Sequence, residues 1–253
     1  VYDADGTEHS LGQMATGLDL TVGGTQQLYT QMRGYAVSTN VVDARFDYFM
    51  ITPINSLVSE NFDSYANGSS INGQGGWATT GESTYGTVTV SNAQSVSASN
   101  SMLLTKNTTS GSLYGYHDFT ASNSAIVCEA DIRAAQTNVL LDICRMQDTN
   151  TLRALVRLNT DANIYGYNST TATLLQAYSA NTWYHIRVEA DMQRQKYNIY
   201  INGVLKATDY AFYTAGTQMN RAIFLSNGTT AGTGYYDNIQ IYSDFKQISG
   251  LSA

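Results

Sequence analysis

An all-β fold, an antiparallel sandwich, is what this sequence predicts, on three observations. Short runs with apolar residues at alternate positions recur from residue 86 to residue 242. The segments between them are rich in Gly, Asn, Ser and Thr, the residues of tight turns. Helical periodicity is nearly absent: the best stretches, "TQQLYTQM" and "FKQISGL", are too short to carry an i, i+3, i+4 stripe.

Composition agrees with that reading. Charged residues make up 13% of the chain, about half the usual share of ~25%, and Tyr (19) and Gly (21) are abundant. A net charge of −7 argues against nucleic acid, which needs a basic stripe, and against an anionic membrane surface. No apolar run approaches the ~18 residues of a membrane span. The opening "VYDADGTEHS" shows neither an initiator Met nor a signal-peptide pattern, so the chain reads as a processed product or a piece of something longer.

The strand-like runs are, in order, "GTVTVSNA", "SMLLTK", "AIVCEADI", "VLLDICRM", "LRALVRLN", "NIYGYN", "YHIRVEAD", "YNIYI", "VLKAT", "RAIFLSN" and "YYDNIQIY". The single proline, Pro53, stands between two strand-like blocks and marks the boundary between residues 1–53 and 54–253. In "WYHIRVEAD", Tyr184, Ile186, Val188 and Ala190 share the core face, and Tyr197, Ile199 and Ile201 do so in the next run. Those two runs pair through "MQRQK". Asn202-Gly203 then turns the chain into a third strand, because both positions of a type I′ turn need positive φ. Likewise "RALVRLN" and "NIYGYN" pair around Asp161-Ala162. Ala154, Val156, Leu158 and Ile164 then face the core, and Arg153, Arg157, Tyr165 and Tyr167 gather on the opposite face. Cys128 and Cys144 lie in two runs able to form one hairpin, where they are two buried thiols or a bonded pair.

The order "ENFDSYANGSSINGQGGW", "NTWYHIRVEADMQRQKYNIYINGVLKA" and "YYDNIQIYS" resembles the laminin-G-like, concanavalin-A-like jelly-roll modules of secreted bacterial carbohydrate-active enzymes, over roughly residues 59–244. The block "YDADGTEHSLG" with "VVDARFDYFMITP" resembles the C-terminal part of the β-sandwich modules that follow family 43 glycoside hydrolase domains. That resemblance implies a concanavalin-like jelly roll at 54–253 behind part of another sandwich at 1–53. It further implies an extracellular protein, a polysaccharide or oligosaccharide as ligand, and a catalytic domain or chain on the N-terminal side. In modules of this kind a structural Ca²⁺ is often held by acidic residues near the first and last strands. The matching carboxylates are Glu60, Asp63 and Asp237, with carbonyls near Gly75-Gly76.

Sugar binding needs aromatic faces for pyranose rings and a few polar groups for hydroxyls. Trp77 in the loop "GQGGWATTG", Tyr114 and Tyr116 in "LYGYHD", and Arg153, Arg157, Tyr165 and Tyr167 are the candidates. Catalysis finds less support, and no residue is assigned a catalytic role. Glu129 and Asp131 share a face but lack the third carboxylate of the Glu-x-Asp-x-x-Glu pattern of jelly-roll glucanases, since Ala134 stands there. The tyrosine–arginine face has the residue types of a polysaccharide lyase without a His among them, and the three histidines show no metal spacing. The expectation is a non-catalytic carbohydrate-binding or accessory module. The alternatives are a jelly-roll hydrolase or lyase, and a structural or adhesive spacer.

Overall fold

The chain divides into Val1–Ile54 and Asn55–Ala253, and the computed structural model describes residues 55–243. The expectations for residues 1–53 and for "FKQISGL" lie outside the described residues. Within them there are fifteen strands and no helix.

In chain order these are β1 (Asn55–Glu60), β2 (Trp77–Thr80), β3 (Gly86–Ser91), β4 (Ser101–Lys106), β5 (Leu113–Ser122), β6 (Ile126–Ala134), β7 (Leu141–Asp148) and β8 (Thr151–Leu158). They continue as β9 (Asn163–Asn168), β10 (Thr171–Ala177), β11 (Trp183–Asp191), β12 (Lys196–Ile201), β13 (Val204–Ala211), β14 (Met219–Ser226) and β15 (Gly232–Ser243). One antiparallel sheet runs β13-β12-β11-β6-β15-β4-β3, with β1 also on β15, and the other runs β10-β9-β8-β7-β14-β5-β2. The two inner faces meet in one core that includes Phe62, Trp77, Met102, Ile132, Ile143, Val156, Ile186, Ile199, Phe224 and Tyr236, each at most 1% exposed. Each such side chain contributes about 1.5–3 kcal/mol through burial.

The meander β11-β12-β13 follows the alternation in the sequence: Tyr184, Ile186, Val188 and Ala190 are buried opposite Tyr197, Ile199 and Ile201. Asn202 (φ 51°) and Gly203 (φ 76°) both take the left-handed conformation their turn demands. The hairpin of β8 and β9 also forms, with Arg157 opposite Tyr165 and Leu158 opposite Ile164.

One reading needs correction, and one strand is missing from the sequence-derived runs. The runs carrying the cysteines do not pair: β6 lies in one sheet and β7 in the other, so the cysteines meet across the core. Both are buried and free, and the Cys144 thiol donates to the Cys128 carbonyl at 3.5 Å. The chain also makes a full strand, β5, through "LYGYHDFTAS", which lacks apolar alternation. Its inward position Gly115 is empty because a Cβ there would stand 2.9 Å from Ile71 Cδ1 and 3.0 Å from Met102 Sδ.

Candidate functional site

The outer face of the seven-stranded sheet is where the predicted tyrosines and arginines converge. Cross-strand register sets Tyr114 beside Leu225, Leu225 beside Asp142, Asp142 beside Arg157, and Arg157 beside Tyr165. A second row runs Tyr116, Ile223, Arg145. Between them lies a shallow pocket of about 270 Å³ whose lining includes Tyr114, Arg145, Gln147, Arg221, Ile223 and Leu225. Ile223 and Leu225 are each 4% exposed and form an apolar floor. The guanidinium, amide and phenol groups stand around them. A larger depression, about 380 Å³, is lined mainly by serines with Leu57, Thr120 and Ala121, and holds no charged or aromatic side chain.

The polar groups of this face are held by one another. Asp142 is fully buried, and it accepts from Arg157 Nη2 at 3.0 Å and from Arg145 Nη1 at 3.1 Å. Burial opposes the Arg157 cation, but hydrogen bonds and the charge of Asp142 outweigh it and raise its pKa. Arg157 also donates to the Tyr167 hydroxyl at 3.2 Å and lies 5.5 Å from that ring's centroid. On the other side of the pocket Arg221 lies 4.3 Å from the Tyr116 ring centroid and bonds both Asp118 oxygens. The Arg221 hydrogen bond lowers the pKa of Asp118, and that same bond raises the pKa of Arg221. Aromatic rings and forked donors are thus locked in place before any ligand arrives, which reduces the entropy lost on binding.

Six of the seven predicted sugar-contacting residues fall on this face, and they are not equivalent. Tyr114, Tyr116, Tyr165 and Tyr167 are part-exposed. Arg153 is only 5% exposed; its guanidinium bonds Asp148 and the carbonyls of Thr214 and Ala215, so it pins that segment rather than facing a ligand. Trp77 is a correction. It opens β2 and is 1% exposed, packed on Phe62, His117 and Phe224 with centroids 5.4–5.8 Å apart, so its ring is closed to a sugar. Gly76 permits that approach: with φ at +90°, a Cβ there would sit 2.7 Å from His117 Nε2.

Sequence reasoning missed Arg145, Gln147 and Arg221. Arg221, Ile223 and Leu225 alternate in "RAIFLSN", so that strand's outward set was readable. Arg145 was not. The pairing of β7 shifts register between Ile143 and Met146, around Cys144 at φ 48°, so Asp142 and Arg145 both point outward despite their odd spacing.

Each carboxylate proposed for calcium already has donors. Asp237 accepts from the Val96, Ser97 and Asn238 amides and the Ser97 hydroxyl, using both oxygens. Glu60 accepts from the Phe62 amide and the Tyr65 hydroxyl, and Asp63 from the Asn100 amide. These carboxylates are satisfied by N–H and O–H donors without a cation, and no cluster of three or more His, Cys, Asp or Glu able to hold a metal occurs among the described residues. Tyr165 donates to Asp161 at 2.7 Å, and that bond raises its pKa, the opposite of what a phenolate base requires. Glu129 and Asp131 lie on the outer face of the other sheet, both bonded to His185.

A family model described as "Sialidase-like, CBM domain" matches residues 119–233, a span that contains β6 through β14 and most of the tyrosine–arginine face. No curated protein matches the chain. Among solved structures, a sialidase superposes with a TM-score of 0.62 at 14% identity, covering 74% of this chain and 18% of the sialidase. The cellulose-induced protein Cip1 superposes with a TM-score of 0.52 at 13% identity, covering 74% of this chain and 97% of its own. At such identities the likeness is one of fold. The chain is thus an antiparallel β-sandwich, similar over residues 119–233 to a sialidase-like carbohydrate-binding domain.

Proposed function

We propose that this chain is a non-catalytic carbohydrate-binding module of a larger, secreted carbohydrate-active enzyme, binding sugar on the outer face of the seven-stranded sheet. The observation that carries this reading is the pocket there: an apolar floor of Ile223 and Leu225, the ring of Tyr114 with Tyr116 packed 5.9 Å from it, and donors from Arg145, Gln147 and Arg221. A pyranose has the matching character, with apolar C–H faces and a rim of hydroxyls. The family-model match supports the ligand class. The laminin-G-like segments and the likeness of residues 1–53 to a module that follows family 43 glycoside hydrolases support an accessory role beside a catalytic domain.

The test is affinity electrophoresis of the full chain through gels cast with a panel of soluble plant, fungal and animal polysaccharides, with titration calorimetry on whatever retards it. Tyr114→Ala is expected to weaken binding about tenfold, which is about 1.4 kcal/mol, with an unchanged thermal midpoint. Retention that is indifferent to Tyr114→Ala and Tyr116→Ala overturns this face as the site. Release of reducing ends or unsaturated uronates by the chain overturns the non-catalytic reading.

A further inference from the structure

The outer face of the eight-stranded sheet carries a feature that the first site does not use. Arg133 on β6 stands directly across from Trp183 on β11 and from Tyr235 on β15. All three are part-exposed, and the Arg133 guanidinium carbon lies 5.5 Å from the Tyr235 ring centroid. Every other arginine among the described residues pairs with a carboxylate: Arg145 and Arg157 with Asp142, Arg153 with Asp148, Arg187 with Glu129 and Glu189, Arg194 with Asp191 and Asp209, and Arg221 with Asp118. Arg133 has no carboxylate partner among the described residues.

Its neighbours explain why. Asp131, two residues along the same face, accepts from His185 Nδ1 at 3.0 Å and Asn238 Nδ2 at 2.8 Å. Glu129 accepts from His185, Arg187 and Tyr242, and Glu189 from Arg187 and Tyr200. Asp237 is taken by backbone amides. Each nearby carboxylate is engaged, so the guanidinium keeps its donor fork and a positive charge held over an aromatic ring.

We propose that Trp183, Arg133 and Tyr235 form a second saccharide-binding strip, on the face opposite the first site, that takes a carboxylate-bearing sugar. Arg133 binds the carboxylate through two parallel N–H donors, a geometry a guanidinium offers and an ammonium does not. Trp183 and Tyr235 stand two inter-strand steps apart, about 10 Å, so rings to either side of the charge meet successive parts of an extended chain. Beyond them Thr87, Thr105 and Thr233 lie side by side across β3, β4 and β15 and supply hydroxyls. The strip crosses three adjacent strands with one side chain on each and has threonines beyond it, which suits a linear acidic saccharide better than a protein surface, whose stable interface needs a broad patch of roughly 800 Å² per partner. This inference does not depend on the pocket of the other face.

Fluorescence tests it directly. The chain has two tryptophans, and Trp77 is buried, so ligand-induced change in emission reads Trp183. The full chain is titrated with trigalacturonate, triguluronate and sialyllactose, each against its methyl ester. At least one acid is expected to shift or quench the emission while its ester does so at least tenfold more weakly. Arg133→Gln is expected to erase that difference, Arg133→Lys to restore part of it, and Tyr114→Ala to leave it unchanged. Silence with all three acids, equal response to acid and ester, or wild-type behaviour of Arg133→Gln overturns the proposal. So does a change that follows protein concentration without sugar, which assigns the strip to a second copy of the chain.

Discussion

Trp77 and Trp183 show how far residue type falls short of role. Both are aromatic, and the sequence made Trp77 a sugar-binding candidate while giving Trp183 no part in binding. Trp77 is sealed among Phe62, His117 and Phe224, while Trp183 stays part-exposed beside an arginine without a carboxylate. Trp77→Ala is therefore expected to destabilise the fold by about 3–5 kcal/mol, read as a fall in the urea midpoint. Sugar affinity of the folded fraction stays unchanged. A change in affinity without one in stability would return Trp77 to the binding site.

At the level of elements, β6 and β11 are joined by more than their ladder. His185 on β11 bonds Asp131 at 3.0 Å and Glu129 at 3.1 Å, both on β6. Carboxylates at both ring nitrogens favour the doubly protonated imidazole. The bonds to Asp131 and then Glu129, working against burial, raise its pKa from 6.5 to about 9. A raised pKa means the folded state holds the proton more tightly than the unfolded one. The stability this adds is present in full below pH 6.5 and is lost as the pH rises through 9. Urea midpoints of the wild type measured from pH 6 to pH 10 are expected to fall across that window more than those of His185→Gln. Parallel profiles for the two proteins would refute the assignment.

Over the described residues as a whole, two sheets bury one core and present two outer faces of different chemistry. One has interlocked Arg–Asp–Tyr groups around a pocket; the other has a charged network and two aromatic rings flanking Arg133. Asp237, fully buried in the last strand, is held by amides of the 96–97 segment, so the hydrogen bonds close that loop over the sheet. Addition of EDTA is expected to leave the thermal midpoint unchanged. A drop of several degrees, reversed by calcium, would reinstate the ion at Glu60, Asp63 and Asp237.

What the sequence determined by itself rests on alternation and on turn chemistry. It revealed the all-β class, the buried sets of β11 and β12, the Asn202-Gly203 turn, and the shared face of Tyr165, Tyr167, Arg153 and Arg157. These follow because a strand's period of two is written locally. Strand partners across the sandwich are not local. Only the tertiary structure decided that β6 and β7 face each other across the core, that a bulge at Cys144 turns Arg145 outward, and that Trp77 is closed to solvent. It also decided that Arg133 alone among the described arginines lacks a carboxylate. Each of these depends on which residues, far apart in the chain, come within a few ångströms, and one strand's pattern carries no record of its neighbour.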